Sequence, residues 1–382
     1  MSYLPAQSLP GLSGVQGVKH IDLDRADAAP FAAASEAMTV FWRSGYAVGH
    51  VLRLDDGREK RVETGTPPAR PASLPPLSVS VVICTRDRPE ELKRCLASLP
   101  QQSVTPSEIV VVDNASRDGR TREVALEAGV VYVREDRPGL DFARNTGAMR
   151  ATADIIAYTD DDVLLHPQWL EHLLAAFDEP SIGAVTGLVL PGELETAAQR
   201  HFESFWSFGQ GYDRIDFRAA DFAATSAQAV FPAWKVGAGA SMAFRRDVFD
   251  RVGLFDERLD VGQAGCSGDS EYWYRLLAAG IDCRYEPTAI AFHFHRRAME
   301  GLSHQIYSYM RGHAAALMVQ NERTGLRCNL RQALWWMPRW YAGRIWRRLW
   351  QGRTIEDRFL KQEVTGYFAG LLFYWRQKRP HG

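Results

Sequence analysis

Three consecutive aspartates, Asp160-Asp161-Asp162, follow the apolar, β-branched run Ile155–Thr159. Adjacent carboxylates repel one another, and a nearby cation relieves that repulsion and stabilises their ionised forms. Mg²⁺ and Mn²⁺ prefer oxygen ligands and often bind through one or two carboxylates together with substrate phosphates. The triplet therefore indicates a divalent metal that holds a diphosphate. A solvated acidic turn that caps the next helix is the alternative for such a triplet on its own.

Polar residues also end two earlier apolar runs. Thr85-Arg86-Asp87 follows Leu77–Cys84, and Asp113-Asn114 follows Glu108–Val112. Because ligands of open α/β sheets bind outside the carboxyl ends of the strands, we expect these groups to lie along one edge. The chain has no GxGxxG after the first run and no GxxxxGK[ST], which argues against a dinucleotide cofactor and against a P-loop nucleotide hydrolase.

Alternating strands and helices must position these residues. From residue 77 to 190, apolar runs alternate with helically spaced segments, which predicts an α/β fold with βαβ units and a mostly parallel sheet flanked by helices. The predicted strands are Leu77–Cys84, Glu108–Val112, Val130–Val133, Ile155–Thr159 and Ile182–Leu190; the predicted helices are Pro89–Leu99, Arg120–Ala128, Leu140–Ala151 and Pro167–Phe177.

The flanking segments have a different character. Residues 1–66 are expected to form a small β-rich extension, with hairpin-like patterning over Val40–Val48 and Gly49–Leu54 and a turn at Asp55-Asp56-Gly57. Residues 67–76 contain five prolines and are predicted to be a linker. Residues 301–382 are expected to be a helical region rich in tryptophan and arginine.

Bulk composition limits the classes of function and location. The 382 residues have a net charge of -1, so no global field steers the chain toward nucleic acid or an anionic membrane. Five scattered cysteines argue against a disulfide framework or a cysteine-bound zinc and favour thiols in a reducing cytoplasm. We see neither a signal peptide nor an apolar window of ~20 residues. We therefore expect a cytoplasmic protein, with a peripheral position at the inner face of the membrane as the alternative.

Seven segments, in order, resemble the family 2 glycosyltransferases with the GT-A fold. They are VSVVICTRDRPEELKRCLASL, IVVVDNASRDG, GLDFARNTGA, IIAYTDDDV, VGAGASMAFRRDVFDRVGLFDE, GDSEYWYRLLAAG and YEPTAIAFHFH. The resemblance covers about residues 77–300 and implies a catalytic domain with a Rossmann-like sheet. It also implies inverting transfer of a sugar from a nucleoside-diphosphate sugar to a hydroxyl acceptor, with Mg²⁺ or Mn²⁺ as cofactor.

The resemblance implies a role for individual residues. Asp269 matches the expected catalytic base, and Asp162 and His293 match metal ligands, with His295 as an alternative to His293. Glycines permit close approach of a backbone to a ligand. The resemblance implies that the loop containing Gly237 and Gly239 lies beside the donor sugar; a tight turn is the alternative. The residues expected at the nucleotide-sugar are Thr85, Asp87, Asp113, Arg144, Asn145, Asp160, Asp161, Gly237 and Gly239.

One departure from the family pattern concerns the acid pair that contains Asp269. Gly268 stands where relatives usually carry the first acid, so the acceptor contact of that acid is in question. Glu271 is the fallback base. On a helix, Asp269 and Glu271 point about 200° apart, so they are not expected to act as one carboxylate pair.

These parts suit sugar transfer chemically. The departing nucleoside diphosphate develops negative charge, which a metal stabilises as a Lewis acid. The acceptor hydroxyl is a weak nucleophile, so a positioned base must take its proton. Four aromatic residues are candidates for stacking on sugar faces or, equally, for the core: Trp206, Phe208, Tyr212 and Trp234.

Several alternatives stay open. A nucleotidyltransferase also uses acids at strand ends, and the glycine at position 268 keeps open a catalytically impaired nucleotide-sugar-binding relative. The acceptor is a polysaccharide, a lipid-linked sugar or another glycan, a protein or a small molecule. A basic amphipathic helix with tryptophans in the C-terminal region can lie in a membrane interface, cover the catalytic domain or form a dimer contact. Nucleic acid is not expected, because no recognised binding module accompanies the arginines.

Overall fold

The computed structural model describes residues 16–24, 36–63, 74–260, 263–352 and 354–377. Its strands are β1 Val18–Asp22, β2 Met38–Arg43, β3 Tyr46–Arg53, β4 Glu59–Glu63, β5 Val79–Thr85, β6 Glu108–Asn114, β7 Val131–Glu135, β8 Ile155–Asp160, β9 Val163–Leu165, β10 Ile182–Pro191, β11 Ile215–Phe217, β12 Ser241–Arg245 and β13 Asp282–His293. Its α-helices are α1 Pro89–Ser98, α2 Arg120–Glu127, α3 Leu140–Arg150, α4 Trp169–Ala175, α5 Ala197–Trp206, α6 Ala219–Ser226, α7 Asp247–Val252, α8 Gly268–Ala278, α9 Met299–Thr324, α10 Arg327–Arg331, α11 Met337–Gln351 and α12 Leu360–Gln377.

A mostly parallel sheet forms the centre of the molecule. Its strand order is β11-β13-β10-β12-β8-β5-β6-β7, and β9 pairs with β13. Strands β8, β5, β6 and β7 run parallel, whereas β12 is antiparallel to both of its neighbours. Helices surround the sheet and form the C-terminal region, so the predicted α/β class is confirmed.

Helices on both faces explain why the central strands read as continuous apolar runs. Every residue of β5 and of β10 is buried, as expected for strands covered on both sides. Leu92 of α1 and Trp169 of α4 pack against one face of the sheet. Ala148 of α3 and Trp273 of α8 pack against the other face.

The sequence located the elements between residues 77 and 190 closely. The predicted strands and helices match β5, β6, β7, β8, β10 and α1–α4 to within two residues at each end. The short strand β9 was not predicted. It directly follows the aspartate triplet and pairs Val163 with His293 of β13, so it brings the triplet to the end of that strand.

A second sheet, with the order β1-β2-β3-β4, precedes the central sheet in the chain. The hairpin prediction placed its strand break wrongly, because the turn between β2 and β3 lies at Ser44 and Gly45, both with positive φ. The predicted turn at Asp55-Asp56-Gly57 lies between β3 and β4. Most of the proline-rich segment and much of residues 1–66 lie outside the described residues.

The C-terminal region is a stack of helices. A π-helical turn, Gln332–Trp336, joins α10 to α11, and α12 packs along α9. The two helices approach closely, because a Cβ at Gly366 would lie 2.3 Å from the Tyr307 carbonyl oxygen and one at Gly370 would lie 2.1 Å from that of Arg311. Among the described helices, none is both long enough and apolar enough to cross a membrane.

Candidate active site

The acids at the strand ends lie side by side along one edge of the sheet. Thr85 of β5 is in register with Asp113 of β6. On the other side of β5, Cys84 is in register with Asp160 of β8. The parallel arrangement of the three strands therefore gathers polar groups that are far apart in sequence.

Two of the aspartates meet a histidine at this edge. His293 Nε2 lies 3.3 Å from Asp162 Oδ1. One ligand atom from each of Asp160, Asp162 and His293 lies within 4.8 Å of the other two. Burial and the neighbouring Asp162 raise the pKa of Asp160, and a bound cation would relieve this repulsion. Two carboxylates and one imidazole are a suitable ligand set for a divalent metal ion.

A buried hydrogen-bonded chain orients His293. Its Nδ1 lies 2.9 Å from Nδ1 of His295, and Nε2 of His295 lies 3.1 Å from Glu203 Oε2. Burial lowers the pKa of His295, which favours its neutral form. If its Nε2–H donates to Glu203, its Nδ1 accepts from His293. A neutral His293 then directs an unprotonated Nε2 toward the aspartates, as a metal ligand requires. His295 thus supports the site from behind.

The middle aspartate is held by protein groups. Thr85 Oγ1 donates to Asp161 Oδ2 at 2.7 Å. Arg88 Nη1 lies 3.1 Å from Asp161 Oδ1 and 3.0 Å from Asp162 Oδ2. Burial, reinforced by Asp162, raises the pKa of Asp161 to about 7. Arg88, which was not among the predicted site residues, therefore bridges two members of the triplet.

Asp113 and Asp87 also bind protein donors. The buried Asp113 accepts hydrogen bonds from the Tyr132 hydroxyl at 2.8 Å and from Arg134 at 3.0 Å. Asp87 has a positive φ of 55° and accepts bonds from the backbone N–H of Arg117 at 2.8 Å and from its Nε at 2.9 Å. Each carboxylate is thus paired with an arginine at the end of β5 or β6.

Asp269 lies in the first turn of α8, where backbone donors hold its carboxylate. Its Oδ2 accepts from the N–H of Gly239 at 3.0 Å, and its Oδ1 accepts from that of Ser270 at 2.7 Å. A Cβ at Gly239 would lie 2.5 Å from Arg144 Nη2 and 3.0 Å from Asp269 Oδ2. Glycine is therefore required here, and the close neighbours are protein side chains.

The other loop glycine has a structural requirement of the same kind. Gly237 has a φ of 156°, and a Cβ there would lie 2.5 Å from the Thr186 side chain. Thr186 Oγ1 also donates a hydrogen bond to the Val236 carbonyl. The loop is thus packed directly against β10.

The space next to Gly268 is filled by another acid. A Cβ at this position would lie 2.0 Å from Asp141 Oδ2. Asp141 is buried on α3, and its Oδ1 lies 3.0 Å from Arg144 Nη1. Burial raises the pKa of Asp141 to about 7, although Arg144 acts in the opposite direction. A carboxylate from α3 therefore occupies the place into which a side chain at residue 268 would project.

Two predicted residues are committed elsewhere. The Asn145 amide pairs with the backbone of Phe255, accepting from its N–H at 2.9 Å and donating to its carbonyl at 3.0 Å. This anchors the segment after α7 to α3 and does not involve the acidic group. Glu271, the fallback base, is buried and forms a 2.7 Å ion pair with Arg275.

Part of this edge lies in a segment that is similar to a known family. Residues 80–253 match the sequence profile of Glycosyl transferase family 2. The matched segment includes Thr85, Asp113 and the aspartate triplet. Over these residues the chain is similar to the members of this family.

Individual relatives extend the comparison. Glycosyltransferase AglE of Haloferax volcanii is 29% identical over 67% of this chain and 79% of its own length. The glucosyl-dolichyl phosphate glucuronosyltransferase of the same organism is 25% identical over 61% of this chain and 71% of its own length. The pre-mycofactocin glycosyltransferases of two Mycobacterium tuberculosis strains are longer. They are 30% identical over 60% of this chain, which spans 45% of their length.

A solved structure shares the fold. It is the mannosyltransferase PcManGT of Pyrobaculum calidifontis, in complex with GDP-Man and Mn²⁺, with a TM-score of 0.51 and 18% identity. The alignment covers 81% of this chain and 89% of that chain. The chain thus has a GT-A fold and is a glycosyltransferase.

The predicted residues form two neighbouring groups. Asp160, Asp161 and Asp162 lie with Thr85 and His293 at the acidic edge of the sheet, while Asp269 and Arg144 lie at Gly239. Sequence reasoning did not single out Arg88, Asp141 or Glu203. Arg88 is three residues from Thr85, but no local pattern relates Asp141 or Glu203 to a site completed by β13 and α8.

Proposed function

We propose that the enzyme moves a sugar from a nucleoside-diphosphate sugar to a hydroxyl group, with inversion of configuration and with one divalent cation, Mg²⁺ or Mn²⁺. The main support is the convergence of Asp160, Asp162 and His293, whose ligand atoms lie within 4.8 Å of one another. The mannosyltransferase that shares the fold was solved in complex with Mn²⁺ and a nucleotide-sugar, GDP-Man.

Asp162 and His293 would hold the metal, with Asp160 beside them. The ion would supply Lewis-acid stabilisation of the charge that develops on the departing diphosphate. His295 and Glu203 would keep the His293 ring oriented. Thr85, Asp87, Asp113 and Asp161 would contribute to the nucleotide-sugar pocket, as would Arg144, Gly237 and Gly239.

Asp269 would act as the general base. The acceptor hydroxyl is a weak nucleophile, so its proton must pass to a base during attack. The Gly239 and Ser270 N–H groups donate to this carboxylate and fix its orientation. As the proton moves to Asp269, the acceptor oxygen bonds to the anomeric carbon and the bond to the diphosphate breaks. A single displacement of this kind inverts the configuration.

For the acceptor we propose a lipid-linked sugar, with a polysaccharide or another glycan as the alternative. One relative is named for action on a glucosyl-dolichyl phosphate, which is a lipid-linked sugar. Residues 77–300 would form the catalytic domain, and the helical region 301–382 would make peripheral contact with a membrane. Residues 1–66 would form an N-terminal extension, and residues 67–76 would link it to this domain.

Calorimetric titration with a panel of nucleoside diphosphates, with and without Mn²⁺, tests the metal assignment. Asp162→Asn should abolish the Mn²⁺-dependent part of nucleotide binding because it removes a charged ligand. Asp118→Asn, an exposed aspartate before α2, is the control and should bind as the wild type does. Unchanged Mn²⁺ dependence in Asp162→Asn would contradict the assignment.

Turnover of the donor that the titration selects tests the base. Asp269→Asn should retain donor binding but lose roughly 100-fold or more in turnover, the usual contribution of general base catalysis. NMR of the product should show the anomeric configuration opposite to that of the donor. Full turnover in Asp269→Asn, or retained configuration, would overturn the mechanism.

A further inference from the structure

Helix α11 and the turn before it expose large apolar side chains in one region. Trp346 is 62% exposed and Trp350 is 74% exposed. We define the tryptophan face as Trp335, Trp336, Trp346, Leu349 and Trp350, all of which are exposed. Contiguous apolar patches on soluble proteins commonly mark interaction sites.

The tryptophan face points away from the rest of the protein. Tyr341 on the other side of α11 is buried, and its ring lies 5.6 Å from that of Tyr367 in α12. At about 100° per residue, Trp346 lies roughly 140° and Trp350 roughly 180° around the helix from Tyr341. The tryptophans therefore do not contribute to the packing that holds α11 on α12.

The charge of this region has a single sign. Residues 327–352 contain six arginines and no aspartate, glutamate or lysine, although the whole chain has a net charge of -1. Arg344 is held by Asp357 and Glu363. Within the described part of the chain, Arg339 and Arg347 form no ion pair, and Arg339 stacks on Trp335 at 5.0 Å. Exposed indoles are thus mixed with available positive charge.

We propose that the tryptophan face binds the surface of a bilayer that contains anionic lipids. Tryptophan rings favour the headgroup level of a bilayer, and a basic amphipathic helix can lie in that plane. The arginines would bind lipid phosphates, which is an attraction that adds to the burial of the indoles. A second copy of the chain is a poor occupant, because a symmetric contact would place the same positive region against itself.

The helix stack connects this surface to the N-terminal turn of α8, which carries the proposed base. Helix α12 packs on α9, and α9 packs on the segment before α8, where a Cβ at Gly312 would lie 1.4 Å from the Cys266 carbonyl oxygen. Asp269 follows three residues later. Binding at the tryptophan face would therefore hold the acceptor side of the enzyme close to lipid. This consequence rests on the catalytic role proposed for Asp269, whereas the binding itself does not.

Co-sedimentation of the full chain with vesicles tests the proposal. We expect strong binding to phosphatidylcholine vesicles that contain phosphatidylglycerol, and weak binding to pure phosphatidylcholine or at high salt. The pair Trp346→Ser and Trp350→Ser should lower the ratio of bound to free protein about tenfold or more. The pair Arg339→Glu and Arg347→Glu should lower it by about as much, and only on anionic vesicles.

A matched control lies on α2, which exposes Arg122 and Leu126. Arg122→Glu with Leu126→Ser changes the same kinds of residue and should leave vesicle binding within twofold of the wild type. All variants should bind nucleoside diphosphate as before, which separates failure here from failure of the proposed function. If the double variant Trp346→Ser and Trp350→Ser binds vesicles as well as the wild type does, the proposal is overturned. A wild-type dimer that this pair converts to monomer, without any vesicle binding by the wild type, would also overturn it.

Discussion

At the scale of single residues, the surroundings of Gly268 show an acid supplied by a neighbouring helix. The family resemblance implies an acid at this position, whereas here the carboxylate of Asp141 lies where that side chain would project. Arg144 compensates its charge at 3.0 Å. The site therefore retains a carboxylate next to Asp269, although α3 supplies it and α8 does not.

This arrangement predicts a pair of substitutions that compensate each other. Gly268→Glu alone should destabilise the chain by roughly 3 kcal/mol, because it forces a second carboxylate onto Asp141 beside a single arginine. Asp141→Ala alone should cost a similar amount by leaving Arg144 unpaired. The double variant should recover most of the stability, since the new glutamate can pair with Arg144. Urea unfolding of the four proteins measures the coupling, and additive losses would contradict the prediction.

A second residue-scale prediction concerns the hydrogen-bonded chain formed by His293, His295 and Glu203. Glu203→Ala should weaken Mn²⁺ binding by roughly 10- to 100-fold, because His295 and then His293 lose their orientation. Calorimetry with Mn²⁺ in the presence of saturating nucleoside diphosphate measures this. Glu127→Ala, at an exposed position of α2, is the control. Equal Mn²⁺ affinity in Glu203→Ala and the control would show that the chain does not support the metal.

At the scale of elements, the sequence predicted what is encoded locally. Buried parallel strands read as short apolar runs, so β5, β6 and β8 and the polar groups at their ends were recognised. The hydrogen-bond partners of those groups were not, because they come from distant segments. Glu203 lies 92 residues from His295, and Asp141 lies 127 positions before Gly268. Such residues meet only in the tertiary structure, where α3 packs on β5 and β6, α8 packs on β13, and α5 contacts the residues that follow β13.

The contact between α9 and the segment before α8 gives an element-scale prediction. Gly312→Ala should destabilise the chain by about 3 kcal/mol, since a Cβ there would lie 1.4 Å from the Cys266 carbonyl oxygen and α9 would have to move. Gly343→Ala in α11 is the matched control, because a Cβ there meets nothing within 4 Å. It should stabilise the chain by roughly 0.5 to 1 kcal/mol. Urea unfolding compares the two, and equal effects would contradict the close contact.

At the scale of the whole molecule, the N-terminal sheet completes the core of the catalytic region. Met38, Val40 and Trp42 share a buried cluster with Leu188 of β10 and Phe292 of β13. Phe292 directly precedes His293, so this sheet supports the strand that carries the proposed metal ligand. Trp42 also donates a hydrogen bond to His20 Nδ1 at 3.0 Å and stacks on His166 at a ring distance of 5.8 Å.

We therefore expect Trp42→Ala to lower the free energy of unfolding by roughly 3 to 5 kcal/mol, the usual cost of emptying a buried tryptophan site. The loss should appear in one cooperative transition, because the two sheets share a core. Circular dichroism and Mn²⁺-dependent nucleotide binding, followed through the same thermal scan, measure whether the sheet and the site melt together. A chain that begins at residue 74 should be less stable still, since it uncovers Leu188 and Phe292. If that shortened chain unfolds at the wild-type temperature, the N-terminal sheet is an independent domain.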